Sequence, residues 1–207
     1  MAKLVLRGAA AMLACVLFAA GPASAARSRA SAQPAEGGLL DELNFARTRP
    51  GDYAMVLLDE ANSARSAQSS FAYEDPRALN EAVDFLLRQA PLPALTSDSR
   101  LGGAALSYAE LQGRQGGFGH GAGGTSLSQR MQNHGVWASL MAEDISYGYT
   151  RPRDVVRQLI VDSGVPGRGH RNNIFGRSFQ AVGIGCGPHR LYGAMCVVDF
   201  AGGLGRG

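Results

Sequence analysis

Two histidines and two carboxylates are the residues of this chain whose types suit metal binding or acid–base chemistry. His120 lies in a glycine-rich loop, and His170 follows a second loop in the run Gly-His-Arg-Asn-Asn-Ile. Glu143 lies in an otherwise apolar, strand-like segment, and Asp162 lies near the C-terminal end of a predicted helix. Imidazole nitrogens and carboxylate oxygens are common ligands of zinc, so these side chains are candidates for a metal site.

The spacing of these four residues leaves two interpretations open. No HExxH or other short metal-binding spacing occurs in the chain, so spacing alone does not establish a metal site. In the first interpretation, His120, His170, Glu143 and Asp162 bind zinc or another divalent cation. Glu143 is then the candidate catalytic group beside a metal-bound water. In the second interpretation, the four side chains hydrogen-bond one another and hold loops together.

The other two histidines are interpreted as structural or solvent-exposed. His134 is expected at the end of a helix, where an imidazole interacts favourably with the helix dipole. His189 falls in a predicted hairpin turn and is expected to be solvated. Neither residue is therefore assigned to the candidate site.

The elements that must position the candidate residues are predicted from the spacing of apolar side chains. Leucine, valine and alanine at helical spacing predict a series of helices, and the polar stretch from Ala61 to Ser70 predicts a loop. Strand-like stretches follow in residues 136–149, and a terminal hairpin is predicted from Ala181–Cys186 and Leu191–Phe200. Helices followed by strands mixed with helices indicate an α+β layered domain.

Cys186 and Cys196 lie on the two arms of this hairpin, and two states are open for them. A tight turn over Gly187–Arg190 would place the two sulfur atoms on opposite faces of the hairpin. A wider loop centred on Leu191 would place them opposite each other, as a disulfide requires. An oxidising compartment favours the bond, and two free buried thiols are the alternative.

Residues 1–25 are typical of an export signal peptide. Lys3 and Arg7 give a positively charged N-terminal region. The apolar run Ala9–Ala20 is too short to span a bilayer, and Ala23-Ser24-Ala25 is a cleavage signal. We expect cleavage near Ala26, a secreted protein (extracellular or periplasmic) and no transmembrane segment after cleavage.

The mature chain is expected to consist of a short linker and one domain. Residues 26–38 are small and polar and predict a flexible linker, and residues 39–203 form the predicted domain. Loss of Lys3 and Arg7 with the leader lowers the formal charge from +3 to +1. So small a charge gives no electrostatic reason to expect a nucleic acid as partner.

Five short motifs occur in an order that resembles the CAP superfamily, also called the SCP domain. This family includes cysteine-rich secretory proteins, antigen 5, pathogenesis-related proteins and bacterial exported proteins. The resemblance covers residues 39–200 and rests on the motifs Leu43-Asn44-Phe45-Ala46-Arg47, Gly119-His120, Ala142-Glu143-Asp144-Ile145, Gly169-His170-Arg171-Asn172-Asn173-Ile174 and Val182-Gly183-Ile184-Gly185-Cys186.

The resemblance implies a three-layer α-β-α sandwich with a central cleft that carries two histidines and two acidic residues. By position these are His120, Glu143, His170 and Asp162. The sequence departs from the family pattern at Leu159, where an aromatic residue is usual, and on both sides of Glu143. There, Ala142 and Asp144 replace the usual Gly and Asn.

The resemblance favours a secreted binding module over an enzyme. Its ligand would be an envelope component, a lipid or a protein, held in a cleft that also binds a divalent metal. The alternative is a zinc-dependent hydrolase that cleaves peptides or esters with the same residues. A third hypothesis is a structural protein of the cell envelope that does not use the cleft.

Overall fold

The computed structural model describes residues 36–66 and 75–205, apart from the side chains of residues 64–66 and 122. The predicted signal peptide and residues 26–35 of the predicted linker lie outside the described residues. The helices are α1 (Glu36–Thr48), α2 (Pro50–Ser66), α3 (Pro76–Arg88), α4 (Ser99–Gln115), α5 (Leu127–Asn133), α6 (Pro152–Val161) and α7 (Gly169–Ile174). The strands are β1 (Thr96–Ser97), β2 (Ala138–Tyr147), β3 (Ala181–His189) and β4 (Gly193–Leu204).

Two helices are longer than the sequence pattern predicts. Helix α1 begins at Glu36, so residues 36–38 of the segment interpreted as a linker are helical. Helix α2 continues to Ser66, so the loop prediction that began at Ala61 is wrong for its first six residues. Ala61 is buried in the core, and this tertiary contact favours helix where the polar composition suggested a loop.

The four strands form one sheet in the order β1-β3-β4-β2. Strands β3 and β4 form an antiparallel hairpin, β2 pairs with β4 in antiparallel fashion, and β1 pairs with β3 in parallel fashion. Helices α4 and α5 lie on one face of the sheet, and α1, α2, α3 and α6 build the core on the other face. The three-layer α-β-α sandwich is therefore confirmed.

Glycines on one side of β3 allow α4 to lie directly on the sheet. A Cβ atom on Gly183 would overlap the main chain at Leu101 and Gly102, and one on Gly185 would overlap the main chain of Leu106. Only a residue without a side chain permits so close an approach. The glycines of the Val-Gly-Ile-Gly-Cys motif thus fix the position of α4, from which the His120 loop departs.

The other side of β3 and β4 faces the larger core. Side chains alternate between the two faces of a strand, and Val182, Ile184, Val198 and Phe200 belong to the same apolar core as residues of α1, α3 and α6. Met195 and Val197 point instead towards α4. The two-residue period is what assigns each polar residue in these strands to a defined layer.

Cys186 and Cys196 form a disulfide across the hairpin. The two residues are direct partners in the β3–β4 register, and the connection spans residues 190–192, centred on Leu191. Of the alternatives left open by the sequence, the wider loop is the one that forms. Both cysteines are buried in the larger core, so the bond joins two central strands beneath the helices.

Candidate functional site

Glu143 anchors the first histidine–carboxylate pair. It lies in β2 on the face that carries α4 and α5, and its carboxyl is almost completely buried. Oε1 lies 2.8 Å from Nδ1 of His120, and Oε2 accepts a hydrogen bond from the Arg130 guanidinium at 2.5 Å. Arg130, on α5, stacks over the Tyr108 ring with its Cζ atom 3.7 Å from the ring centre. The Glu143 carboxylate is therefore fixed between the Arg130 guanidinium and the His120 imidazole.

The loop that carries His120 is held by a network around Gly119. The Gly119 carbonyl accepts hydrogen bonds from the Tyr108 hydroxyl at 2.9 Å and from Nε2 of Gln112. Its N–H donates to the Tyr147 hydroxyl at 2.9 Å, and that hydroxyl in turn donates to Oε1 of Gln112. Burial raises the pKa of Tyr147 to about 12, so the hydroxyl remains a donor at physiological pH. Three side chains thus hold the residue next to His120.

The second pair joins Asp162, directly after α6, to His170, in the first turn of α7. The Asp162 carboxylate is completely buried; Oδ1 lies 2.6 Å from Nδ1 of His170, and Oδ2 accepts from the His170 main-chain N–H at 2.9 Å. Asp162 caps α6 in the left-handed conformation, with φ of 54°. A residue other than glycine is disfavoured there by about 1 kcal/mol or more. The hydrogen bonds to His170 compensate for this cost.

Two arginines tie the same segment to α3. Arg168 donates to the Asp162 carbonyl at 2.7 Å and forms an ion pair with Glu81. Arg171 is buried, donates to the Ile160 carbonyl at 2.6 Å and also contacts Glu81. The bond from Arg168 is the main cause that holds the pKa of Glu81 below its usual range. The position of His170 is therefore set by contacts with two helices.

Asp144 lies between the two pairs, on the opposite face of β2 from Glu143. Its Oδ1 accepts from the Asn173 side chain at 2.7 Å, on α7. Burial raises the pKa of Asp144 well above its usual range, and the charges of Asp162 and Glu143 add to this effect. Glu143 is the neighbour of Asp144 in β2, and Asn173 belongs to α7, the helix that carries His170, so this strand contacts the surroundings of both pairs.

Asp199 is a residue of the site that the sequence analysis missed. It lies in β4 directly opposite Glu143 and is completely buried. Neither of its oxygens accepts a hydrogen bond from the described residues. Burial, and after it the charge of Glu143, raises the pKa of Asp199 well above its usual range. The available signal was a single acid in the apolar run Val197-Val198-Asp199-Phe200.

His189 is buried, so the expectation that it is solvated is wrong. Its Nδ1 accepts from the main-chain N–H groups of Leu191 and Tyr192, both at 3.2 Å. Its Nε2 therefore carries the proton and donates to the Gly117 carbonyl at 2.9 Å. The imidazole closes the hairpin turn against the glycine loop. His134 ends α5, in the structural position that the sequence suggested.

The chemistry of the donor set fits a cation bound through imidazole nitrogens. In both pairs Nδ1 is occupied by a carboxylate, and no described residue hydrogen-bonds Nε2 of His120 or His170. A carboxylate on one ring nitrogen orients a histidine and increases its basicity as a metal ligand. Glu143 and Asp162 thus have the contacts of supporting residues. Within residues 36–66 and 75–205, no three His, Cys, Asp or Glu side chains form one metal-binding group.

The four residues predicted from the sequence thus form two pairs rather than one ring. His120 is the more accessible imidazole, with 56% of its side chain exposed, against 17% for His170. Arg130 forms an ion pair with Glu143, and Asp199 lies opposite Glu143 in the sheet. Asp144, next to Glu143 in β2, contacts α7 through Asn173. Metal binding itself stays a prediction.

A model of the cysteine-rich secretory protein family, abbreviated CAP, matches residues 43–200. This match includes both pairs and all four strands except the last residues of β4. A comparison with curated protein sequences finds no match. None of the described helices is long and apolar enough to cross a membrane.

Solved structures of bacterial proteins are similar to the chain at low identity. An extracellular protein with an SCP domain from Bacillus anthracis is 21% identical, with a TM-score of 0.46, over 53% of this chain and 34% of that one. An outer surface protein of Borrelia burgdorferi is also 21% identical, with a TM-score of 0.45, over 54% of this chain and 79% of that one. A cysteine-rich secretory protein from Staphylococcus aureus is 14% identical, with a TM-score of 0.40, over 63% and 40%. The aligned parts cover well under two thirds of the Bacillus and Staphylococcus chains.

Proposed function

Because the chain belongs to the cysteine-rich secretory protein (CAP) family, we propose that it is an exported binding protein that holds a divalent cation at its two histidines. The observation that carries this proposal is the state of the two imidazoles. Each has Nδ1 fixed by a buried carboxylate, while Nε2 has no hydrogen-bond partner among the described residues. Two oriented imidazoles suit zinc or a similar cation.

In this proposal His120 and His170 are the ligands, and Glu143 and Asp162 keep them in the correct tautomer. The carboxylate on Nδ1 accepts a proton there and leaves Nε2 with its lone pair. Arg130 forms an ion pair with Glu143 and balances the charge of this buried carboxylate. A bound cation supplies a Lewis acid that attracts oxygen atoms of a ligand. The ligand is an envelope component, a lipid or a protein.

Export is supported by the leader-like residues 1–25 and by the disulfide, which is typical of oxidising compartments. Expression of the full chain is expected to give a protein outside the cytoplasm that begins at Ala26. Mass spectrometry of the exported protein measures this start. Retention of the complete chain in the cytoplasm would contradict the proposal.

Zinc titration of the mature protein by isothermal calorimetry tests the cation site. We expect one zinc ion per chain, with binding lost in both His120→Ala and His170→Ala. His134→Ala is the matched control, because His134 belongs to neither pair, and it is expected to bind zinc like the wild type. Equal binding by all four proteins, or none by the wild type, would overturn the proposed site.

A further inference from the structure

Strand β2 lies at one edge of the sheet, and its first half is open. Residues 138–142 are exposed or half-buried, whereas residues 143–146 are buried. Leu140 is 40% exposed, and Trp137, just before the strand, is 57% exposed. An open edge strand with apolar side chains is a place where another extended chain can pair.

The register shows which main-chain groups of β2 face outwards. Gly148 follows β2 and donates its N–H to the Ala194 carbonyl at 2.8 Å. The even-numbered residues of β2 therefore direct their main-chain N–H and C=O groups towards β4. The Cα atoms of Cys186 and Cys196 lie 4.1 Å apart, as in pairs that are not hydrogen-bonded to each other, so Cys196 also points its main chain at β2. Because direction alternates along a strand, Met141 points its N–H and C=O away from β4.

The outward groups of Met141 have no partner among the described residues, since no hydrogen bond joins its main chain to a loop or helix. The open segment also ends beside the first histidine pair, because Glu143 follows Met141 on the same face of the strand. His120, which is bound to Glu143, is more than half exposed. The free main-chain groups therefore lie next to the proposed cation site.

We propose that the open edge of β2, residues 138–142, binds an extended polypeptide segment of a partner protein, which adds to the sheet as a short strand. Alternating N–H and C=O groups are complementary in partial charge to another extended main chain, whereas a lipid chain offers no such groups. A second copy fits less well, because five paired residues bury far less than the roughly 800 Å² per partner of a stable interface.

This inference rests on the proposed binding role of the cleft and names its ligand class, but it does not require the cation. The probe is a dodecapeptide selected from a random phage-displayed library against the mature protein. Its affinity is measured by fluorescence anisotropy with and without EDTA. The matched ligands are two N-methylated forms of the same peptide. In one form the odd-numbered main-chain amides are methylated, and in the other form the even-numbered amides are methylated. We expect one methylated form to bind at least tenfold more weakly than the unmethylated peptide. EDTA is expected to change the affinity of the unmethylated peptide by less than twofold.

Met141→Pro removes the outward N–H, and Met141→Ala, which keeps it, is the control for the lost side chain. We expect Met141→Pro to weaken peptide binding at least tenfold relative to Met141→Ala. Peptide binding to the wild type is also expected to slow amide exchange at Met141 but not at Ala142. That readout remains decisive where Met141→Pro does not fold.

Several outcomes would overturn the proposed strand addition. They are the selection of no peptide, equal binding of both methylated forms, or concentration-dependent dimers that are lost in Met141→Pro. Zinc binding without peptide binding would refute only this inference. Peptide binding without zinc binding would refute only the cation site.

Discussion

Glu143 and Asp144 are neighbours in β2, yet their carboxyl groups make contacts on opposite faces of the sheet. Glu143 binds His120 and Arg130 on the side of α5, and Asp144 binds Asn173 on the side of α7. This arrangement follows from the two-residue period of a strand. It explains how one edge strand contacts the His120 loop through Glu143 and helix α7, which carries His170, through Asp144.

Two replacements of Asp162 distinguish the cost of its backbone strain from the contribution of its hydrogen bonds to the free energy of unfolding. Asp162→Ala loses both bonds to His170 and keeps a side chain at positive φ, so we expect a loss of about 2–3 kcal/mol in the free energy of unfolding. Asp162→Gly loses the same bonds without the strain and is expected to be about 1 kcal/mol more stable than Asp162→Ala. Urea denaturation measures both, and equal stability of the two variants would contradict the assigned strain.

Close contact between α4 and β3 predicts a strong effect of one methyl group. Gly185→Ala would drive a Cβ atom into the main chain of Leu106, and we expect a loss of about 3 kcal/mol or failure to fold. Gly187→Ala is the control, because its Cβ would have no neighbour closer than 4.0 Å. Thermal unfolding of the two variants checks this. A similar loss in both would show that close packing is not the cause.

Burial of Asp199 predicts how stability depends on pH. Its pKa is raised on folding, so the folded state holds a proton that the unfolded state releases above about pH 4. The contribution of this group is therefore complete below pH 4 and is lost as the pH rises towards the raised pKa. Asp199→Asn cannot ionise and is expected to lose less stability between pH 4.5 and 7.5 than the wild type. Unfolding in urea at both values tests this, and parallel losses would contradict it.

The Tyr147 hydroxyl is predicted to hold the His120 loop. Tyr147→Phe removes both the acceptor for the Gly119 N–H and the donor to Gln112, so we expect faster amide exchange at Gly119 and a loss of about 1–2 kcal/mol. Tyr192→Phe is the control, because no hydrogen bond of its hydroxyl to a described residue is observed. Exchange measured by NMR distinguishes them. Unchanged exchange at Gly119 in Tyr147→Phe would contradict the role of this hydroxyl.

The sequence predicted the layers better than it predicted the site. Apolar periodicity indicated most helices and the terminal hairpin, because each buries one continuous stripe. It did not indicate that α2 continues to Ser66 or that His189 is buried, since both depend on contacts with distant segments. Asp199 was missed for the same reason: its neighbour Glu143 is 56 positions away in the chain and adjacent only in the sheet.

The register of β2 against β4 decides which face of the sheet each side chain of β2 occupies. A shift of this pairing by one residue would turn every side chain of β2 to the other face. Glu143 would then enter the apolar layer below the sheet, away from Arg130, and Ile145 would leave its pocket under α4. Such a misalignment would separate Glu143 from Arg130 and remove Ile145 from its apolar contacts. The same acid that orients His120 therefore disfavours the wrong alignment during folding.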